Sequence, residues 1–321
     1  MLCPIYIYKP KTTNMTKSLI TGGAGFVGSH LADRLLAQGD DVAVIDNFSS
    51  GSRENLDSNV RLYENDIRDP QIEAIFAKEK PDFIFHLAAQ IDVRRSVENP
   101  TEDADINLLG TFNILDCAVR NGVKKVIFAS TGGAIYGDTD IFPTKEGTYE
   151  QPLSPYGIHK LAAEKSLYFY KKVKGLDYTV LRMSNIYGPR QSTKGEAGVI
   201  AIFIDKMLKG EQPFINGDGK QTRDYVFVED VTRAFILAKS TTGSDKFNIG
   251  TGVETSVNET FEKIVDNIGF DLPKMYKDAK PGEQKRSCLD ASRAKSELGW
   301  KPECDIDRGI RETVQWFKDK K

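Results

Sequence analysis

Short apolar runs alternate with longer segments of helical periodicity through the first half of the chain. Six runs predict strands: Ser18–Thr21, Asp41–Ile45, Arg61–Glu64, Phe83–Leu87, Lys125–Ser130 and Tyr178–Met183. Four intervening segments predict helices: Gly28–Gln38, Ile72–Glu79, Ile106–Arg120 and Tyr156–Lys172. Strands without polar alternation indicate a parallel sheet that is buried on both faces. The pattern therefore predicts an α/β fold built on a doubly wound parallel sheet.

The pattern changes after Asn185, where glycine and proline become frequent and the alternation is lost. We expect residues 15–185 to form one domain and residues 186–321 to form mainly a smaller C-terminal α/β lobe. That lobe would close the crevice at the carboxyl ends of the strands. Residues 222–252 are expected to return to the larger domain. Residues 1–14 carry two prolines and several polar residues, so we expect them to be a disordered extension.

The composition argues against nucleic acid, membranes and metal ions as partners. The 321 residues carry 44 basic and 46 acidic side chains, a net charge of -2, which favours neither nucleic acid nor an anionic membrane. No run approaches the roughly 20 apolar residues that span a bilayer. The four cysteines and three histidines are scattered without ligand spacing, so no metal site or disulfide framework is predicted. Scattered cysteines favour a reduced, cytoplasmic location.

A glycine-rich turn follows the first predicted strand. Gly22, Gly25 and Gly28 have the G-x-x-G-x-x-G spacing and precede a helical run. Glycine is needed where the backbone approaches a pyrophosphate and where helix packs on strand. The helix N-terminus offers free N–H groups to the phosphates. Strand, glycine turn and helix in this order predict a Rossmann-type dinucleotide site.

The acid that ends the second strand indicates which dinucleotide binds. Asp46 can accept a hydrogen bond from a ribose 2′-hydroxyl and would repel a 2′-phosphate. Asn47 follows it, and no basic residue occurs until Arg53. We therefore predict NAD rather than NADP. Asp66, after the third strand, is either an adenine contact or a helix N-cap.

Hydroxyl and amine side chains predict the reacting groups. Tyr156 and Lys160 are four residues apart, which puts them on one face of a helix. A neighbouring cation favours the phenolate, so we expect the pKa of Tyr156 to fall. Ser130 and Thr131 end the fifth predicted strand and precede two glycines, Gly132 and Gly133.

Together these motifs resemble the extended short-chain dehydrogenase/reductase superfamily. The resemblance is carried by Gly22-x-x-Gly25-x-x-Gly28, Asp46-Asn47, His86-Leu87-Ala88-Ala89-Gln90, Ser130-Thr131, Tyr156-x-x-x-Lys160, Arg182-x-x-Asn185-x-Tyr187-Gly188-Pro189-Arg190, Gly217-Asp218-Gly219 and Arg223-Asp224-Tyr225-Val226. It covers nearly everything from Met15 onward. The segment from Ser130 to Gly137 is most similar to UDP-hexose 4-epimerases.

The resemblance implies a reaction and a role for each reacting group. Tyr156 would remove the proton of the sugar 4-hydroxyl while the C4 hydride passes to NAD, and the 4-keto sugar would turn over and take the hydride back. Thr131 would bind O4 and relay the proton, with help from Ser130. Lys160 would hold the nicotinamide ribose and lower the pKa of Tyr156.

The resemblance also implies two sets of binding residues. The cofactor set is Gly22, Gly25, Phe26, Val27, Gly28, Asp46, Asn47, Asp66, Ile67, Leu87, Ala88, Ala89, Gln90, Asn107, Ser130, Tyr156, Lys160 and Ser184. The substrate set is Thr131, Gly132, Tyr156, Asn185, Val199, Phe214, Asn216, Arg223, Lys280, Glu283 and Ser287. The family often has Arg where this chain has Lys280, and lysine offers a phosphate only a point charge.

The two glycines after Thr131 separate related reactions. A 4,6-dehydratase needs an acid and a base beside the sugar, and such relatives carry Asp-Glu there, whereas decarboxylases of nucleotide-linked glucuronate carry Ser-Glu. Gly132 and Gly133 can do neither job and leave room for the keto sugar to turn; they also fit a tight turn. Ser287 falls where the family sets pocket size. Because it is small, we expect activity on UDP-GlcNAc/UDP-GalNAc as well as UDP-Glc/UDP-Gal.

Alternatives remain open at this stage. A UDP-glucuronate 4-epimerase or decarboxylase would need a cation for the substrate carboxylate, which Arg94 or Arg95 could supply. A non-catalytic NAD-sensing regulator would have no need of Tyr156 and Lys160. The resemblance implies a homodimer formed by the helices Glu102–Arg120 and Tyr156–Lys172. Leu161, Leu167, Tyr168 and Phe169 fit that interface and also fit packing within one chain. The pathway, galactose use or glycan supply, is open.

Overall fold

The computed structural model describes residues 15–193, 198–269, 272–279 and 284–320. A seven-stranded parallel sheet has the order β10-β6-β5-β4-β1-β2-β3. Its strands are β1 (Lys17–Thr21), β2 (Asp41–Asp46), β3 (Arg61–Glu64), β4 (Phe83–His86), β5 (Lys125–Thr131), β6 (Asp177–Met183) and β10 (Asp245–Ile249). The predicted fold class is confirmed, and the six predicted strands lie within one residue of their observed bounds. The predicted extension, residues 1–14, lies outside the described residues.

Helices cover both faces of this sheet and build the smaller lobe. They are α1 (Phe26–Ala37), α2 (Ile72–Glu79), α3 (Val93–Glu98), α4 (Pro100–Ala104), α5 (Gly110–Arg120), α6 (Gly132–Ile135), α7 (Pro155–Phe169), α8 (Val199–Leu208), α9 (Val228–Ser240), α10 (Val257–Ile268) and α11 (Ile306–Asp319). The described residues also contain π-helical segments at Asp105–Leu109, Tyr170–Lys174 and Ala294–Leu298 and a 3₁₀ turn at Arg53–Asn55. In the described ranges no helix is both long and apolar enough to cross a bilayer.

Alternation along β5 divides the core between the two sheet faces. Val126 and Phe128 pack with residues of α2, α5 and α7. Ile127 and Ala129 pack on the opposite face with residues of α1 and α9. This strand is therefore buried on both sides, as its continuous apolar run predicts. The same alternation turns Ser130 and Thr131 toward different faces.

A third core holds the smaller lobe together. The strands β7 (Asn185–Tyr187), β9 (Thr222–Phe227) and β11 (Glu254–Ser256) form one small sheet, and β8 (Phe214–Asn216) pairs with β12 (Met275–Lys277). Apolar side chains of α8, α10 and α11 pack against these strands. The segment 222–252 contributes to both parts, because β9 lies in the small sheet while α9 and β10 join the large one.

Candidate active site

The carboxyl ends of the parallel strands meet at one edge of the large sheet, where ligands of such folds bind. The turn after β1 is the tightest part of this edge. Gly22 has φ +71, and a Cβ on it would lie 2.7 Å from the backbone nitrogen of Ala88. A Cβ on Gly28 would lie 2.2 Å from the carbonyl oxygen of Gly22 and 2.7 Å from the Cα of Gly23. Both positions therefore require glycine.

The glycine turn leads directly into α1. Gly25 is the N-cap, so no side chain caps the helix, and no acidic residue lies in its first turn. Phe26 and Val27 form that turn, and their half-buried side chains flank it. The uncapped N–H groups and the helix dipole make this end of α1 suited to a phosphate.

Asp46 is held rigidly at the end of β2. Its carboxylate is 7 % exposed and accepts hydrogen bonds from Ala24 N at 2.9 Å and from Phe48 N at 2.8 Å. Burial raises the pKa of this carboxyl, and the two backbone bonds act in the opposite direction. Each oxygen keeps a lone pair for a further donor. The first basic residue after it, Arg53, stacks on the ring of Phe48 and pairs with Glu64.

Asp66 does not cap a helix. The helix α2 begins at Ile72 with Gln71 as its N-cap. The Asp66 carboxylate accepts from Asn47 at 2.8 Å and pairs with Arg68, whose guanidinium lowers the pKa of Asp66 to about 2. Asp66 and Asn47 therefore stand together beside Asp46, at the edge where the sequence predicts adenosine. Ile67 is buried next to them.

A π-helical segment brings Asn107 to the loop after β4. Its side chain accepts from Gln90 N and donates to Gln90 O, both at 2.9 Å, which fixes the loop that carries Leu87, Ala88 and Ala89. The extra residue in the helix re-aims Asn107, as π-bulges at functional sites do. The sequence gives no signal for this bulge, although Asn107 itself was predicted.

Tyr156 and Thr131 lie at the N-termini of two neighbouring helices, α7 and α6. Thr131 caps α6 by accepting from Ala134 N at 3.2 Å. Ser154 caps α7 by accepting from Gly157 N at 3.2 Å, which places Tyr156 in the first turn. The Thr131 hydroxyl lies close enough to the Tyr156 phenol to lower its pKa. The structure therefore places these two residues next to each other, and their roles stay predictions.

The pKa of Tyr156 is raised in the structure, whereas the sequence predicts that it falls. Burial raises the pKa of the phenol, the carboxylate of Asp103 raises it further, and the neighbouring Thr131 hydroxyl lowers it. The expected lowering by Lys160 is not seen. The Lys160 ammonium donates to Ala129 O at 3.0 Å and lies 4.7 Å above the Phe128 ring. Burial lowers the pKa of Lys160 to about 8.

Ser130 points into a buried ionic network. Its hydroxyl donates to Glu164 at 2.5 Å, and Glu164 also pairs with the fully buried Arg182 at 2.5 Å. This network lies on the face of β5 that carries Phe128, whereas Thr131 turns to Tyr156. Sequence reasoning missed Glu164. Its position four residues after Lys160, on the same face of α7, was the available signal.

The two glycines after Thr131 have different surroundings. A Cβ on Gly132 would lie 2.4 Å from the side chain of Leu289, so this glycine serves close packing. Among the described residues, a Cβ on Gly133 would meet the Ser287 hydroxyl at 3.7 Å and the Thr131 hydroxyl at 4.0 Å. A side chain at position 133 would therefore lie beside both hydroxyls. Ser287, predicted to set the pocket size, stands opposite.

The remaining predicted residues line the smaller lobe or follow β6. Ser184 is buried, and its hydroxyl finds no hydrogen-bond partner among the described residues. Asn185 is exposed on β7, and Val199 begins α8. On β8, Phe214 is exposed and Asn216 is half-buried, while the Arg223 guanidinium donates to Thr222 O at 2.8 Å. Lys280 and Glu283 lie outside the described residues.

Comparison with known proteins gives consistent matches. A family model described as GDP-mannose 4,6 dehydratase matches residues 19–313. A protein of Methanocaldococcus jannaschii named putative UDP-glucose 4-epimerase is 46 % identical, over 94 % of this chain and 98 % of its own length. The UDP-glucose 4-epimerase of Mycolicibacterium smegmatis is 43 % identical, over 95 % of this chain and 99 % of its own. A UDP-glucuronate 4-epimerase of Thermodesulfobacterium geofontis, at 33 %, also matches 94 % of this chain and 96 % of its own.

Solved structures match equally well. The UDP-glucose 4-epimerase of Thermotoga maritima, crystallised with UDP-glucose, has a TM-score of 0.93 at 46 % identity and covers 95 % of this chain and 99 % of its own. The UDP-glucose 4-epimerase of Thermus thermophilus, in complex with NAD, has a TM-score of 0.89 at 39 % identity, covering 94 % and 99 %. A UDP-N-acetylglucosamine 4-epimerase of Methanobrevibacter ruminantium has a TM-score of 0.91 at 36 % identity, covering 96 % and 99 %.

Proposed function

The chain belongs to the GDP-mannose 4,6-dehydratase-type family of extended short-chain dehydrogenases/reductases, and we propose that it is an NAD-dependent UDP-hexose 4-epimerase. The observation that carries the proposal is the Tyr156–Thr131 hydroxyl pair beside Gly133. Two hydroxyls that could transfer a proton lie together at the end of β5, and the glycine at position 133 supplies no acid or base for an elimination. A reversible oxidation at C4 needs a group that transfers the hydroxyl proton and a cofactor that accepts the hydride, but no further acid or base beside the sugar.

The residues present fit NAD. Gly22 and Gly28 allow the turn after β1 to pack tightly against the Ala88 backbone and against itself, and α1 begins at this turn without a side-chain cap. Asp46 is preorganised to accept from a ribose 2′-hydroxyl, and its buried charge would oppose a 2′-phosphate. When bound, NAD supplies a two-electron acceptor for the hydrogen at C4. Lys160, buried one turn after Tyr156 on α7, would hold the ribose.

Tyr156 is the proposed base for the sugar 4-hydroxyl. Burial raises the pKa of the phenol and keeps it protonated at rest, and the neighbouring Thr131 hydroxyl favours the phenolate form that accepts the sugar proton. Thr131 would bind O4 and relay that proton. We assign Ser130 no proton-transfer step, because its hydroxyl donates to Glu164.

The sugar would lie between Thr131 and Ser287. A small side chain at position 287 and no side chain at 133 leave space on one side of the sugar. We therefore propose that UDP-GlcNAc and UDP-GalNAc are converted as well as UDP-Glc and UDP-Gal. Similarity to a UDP-N-acetylglucosamine 4-epimerase supports this breadth. A cytoplasmic location and a part in galactose metabolism stay predictions from the sequence.

UDP-glucuronate is the second candidate substrate, favoured by the similarity to a UDP-glucuronate 4-epimerase. A substrate carboxylate needs a cation. Arg95, one of the two candidates in the sequence, pairs with Glu102 at 2.6 Å on the outer side of α3 and α4. This engagement weakens the case for Arg95 as the partner of a substrate carboxylate. A non-catalytic regulator is disfavoured because the relatives described above are named as epimerases.

A homodimer is proposed from the outer face of α7 and the π segment that follows. Tyr168 and Phe169 are 57 % and 48 % exposed, and Val173 and Leu109 are also exposed. Leu167, expected from the sequence to fit the same face, is instead fully buried in the chain's own core. An apolar patch of this kind marks an interaction surface. Light scattering coupled to gel filtration, with Phe169→Glu as the disrupting variant, tests it.

The proposed reaction is tested by following each substrate separately by NMR. Purified protein is incubated with UDP-Gal, UDP-GalNAc or UDP-GlcA. Formation of the C4 epimer from UDP-Gal and UDP-GalNAc supports the proposal. Release of CO2 from UDP-GlcA, or a 4-keto-6-deoxy product, would replace it with decarboxylation or dehydration.

A further inference from the structure

A buried carboxylate that the proposed chemistry does not use lies next to the reacting groups. Asp103, on α4, is 1 % exposed. One oxygen accepts from Gln90 Nε2 at 2.8 Å and Asn107 Nδ2 at 3.0 Å, and the other accepts from His159 Nδ1 at 2.6 Å. These three partners belong to the loop after β4, the π segment and α7. Asp103 therefore joins the cofactor edge of the site to the helix that carries Tyr156 and Lys160.

His159 stands between the two reacting groups in sequence. It follows Tyr156 by three residues and precedes Lys160 by one. A bond from Asp103 to His159 therefore restrains the same turn of α7 that sets the direction of both side chains. The pair spans 56 residues of chain, so it is a tertiary contact between α4 and α7 rather than a local one.

We propose that Asp103 is a positioning residue which, together with His159, sets the pH range in which the Tyr156–Lys160 pair works. The inference rests on the proposed epimerase function. The carboxylate acts through space on both groups and is itself neutralised in part by the His159 N–H. Removing the Asp103 charge and removing the His159 donor should therefore shift the pH–kcat profile in opposite directions.

The charged groups around Tyr156 and Lys160 support this assignment. The Asp103 charge raises the pKa of Tyr156, second only to burial, and it opposes the lowering of the pKa of Lys160 by burial. Glu164 acts on Lys160 in the same way as Asp103, but it is paired with Arg182.

His86 on β4 is a further titratable residue that interacts with Lys160. Burial holds the pKa of His86 at about 3, so this ring stays neutral and adds no charge. Its side chain lies between the hydroxyls of Thr21 and Thr111. Asp103 is thus the buried anion that acts on both reacting groups without an arginine partner of its own in the hydrogen bonds described above.

Asp103→Asn tests the charge while keeping the shape. Asparagine can still accept from Gln90 and Asn107. Removing a negative charge favours the phenolate of Tyr156 and disfavours the ammonium of Lys160, so both pKa values fall. We expect both limbs of the pH–kcat profile to move to lower pH by about one unit. A purely structural role would lower kcat or stability without moving the limbs.

His159→Ala tests the partner. The variant leaves the Asp103 charge in place with one fewer donor, so the limbs should move to higher pH. Glu102→Gln is the matched control, because Glu102 neighbours Asp103 in the chain but is half-exposed and paired with Arg95. That variant should leave the profile unchanged.

Profiles are measured on NAD-loaded protein with UDP-galactose. Opposite shifts in Asp103→Asn and His159→Ala, with Glu102→Gln unmoved, establish the inference. The inference is overturned if the limbs of the pH–kcat profile do not move in one of these two variants, or if they move in the same direction in both. If the unmodified protein converts no UDP-sugar, the proposed function fails instead, so the two failures are distinguishable. Should Asp103→Asn fail to fold, the direction of the His159→Ala shift still decides.

Discussion

Gly28→Ala should disable the dinucleotide site through one methyl group. The added Cβ would lie 2.2 Å from Gly22 O and 2.7 Å from Gly23 Cα. Both contacts are to backbone, so no side-chain rotation can relieve them. The turn must move away from α1, and this displaces the N–H groups that we propose bind the pyrophosphate.

The magnitude follows from the cost of overpacking. Forcing a methyl group into a well-packed site costs about 1–3 kcal/mol. If the turn relaxes in the free protein, the same free energy is imposed when NAD binds. This converts to roughly 5- to 150-fold weaker NAD binding. If the turn does not relax, the cost lowers the melting temperature by about 2 to 10 °C instead.

Two measurements separate these outcomes. NAD content per chain is measured in protein denatured after purification, and the melting temperature is measured by calorimetry with and without added NAD. Gly147→Ala is the matched control, because a Cβ at Gly147 meets nothing within 4 Å. Its unfolding free energy should stay within about 0.5 kcal/mol of the parent.

The reasoning is refuted if Gly28→Ala keeps both the NAD content and the melting temperature of the parent protein. It is also refuted if Gly147→Ala loses as much of either quantity as Gly28→Ala does. In that case the effect would come from adding a methyl group anywhere, not from the close approach of Gly28 to Gly22.

Three further substitutions test the proposed site. Tyr156→Phe should keep NAD bound and lower kcat by about 10²- to 10⁴-fold, since it removes the proton acceptor; near-normal turnover would contradict that role. Ser130→Ala should lower the unfolding free energy by about 1 kcal/mol, measured in urea, because it removes the bond to Glu164. A hundredfold loss of kcat in that variant would restore Ser130 to the chemistry. Ser287→Tyr should lower kcat/KM for UDP-GalNAc at least about tenfold relative to UDP-Gal, and an unchanged ratio would remove position 287 from the specificity pocket.

Local patterns predicted the parts of the fold whose causes are local. The bounds of α2 and β3 agree with the sequence because each apolar run ends in polar or turn residues. β10 was not among the predicted strands. Its sequence, Asp-Lys-Phe-Asn-Ile, has polar residues that pair with distant groups, such as Asp245 with Arg293. A strand of this kind is stabilised by its neighbour β6, which lies about 60 residues earlier in the chain.

The candidate site was predicted where motif and geometry coincide, as at Gly28, Asp46 and the Tyr156–Thr131 pair. The sequence did not reveal the features of the site that depend on burial or on a partner far away in the chain. The pKa of Tyr156 rises because the phenol is buried, which the spacing of Tyr156 and Lys160 cannot reveal. The bonds from Ser130 to Glu164 and from His159 to Asp103 join residues 34 and 56 positions apart. Only the tertiary structure brings them together.

The fate of the hydrogen at C4 tests the central claim most directly. UDP-galactose carrying deuterium at C4 is incubated with the protein in ordinary water, and the UDP-glucose formed is analysed by NMR and mass spectrometry. Reversible oxidation at C4 predicts that the deuterium stays on C4 of the product with inverted configuration. Loss of the deuterium to solvent, or its appearance at another carbon, would contradict the account.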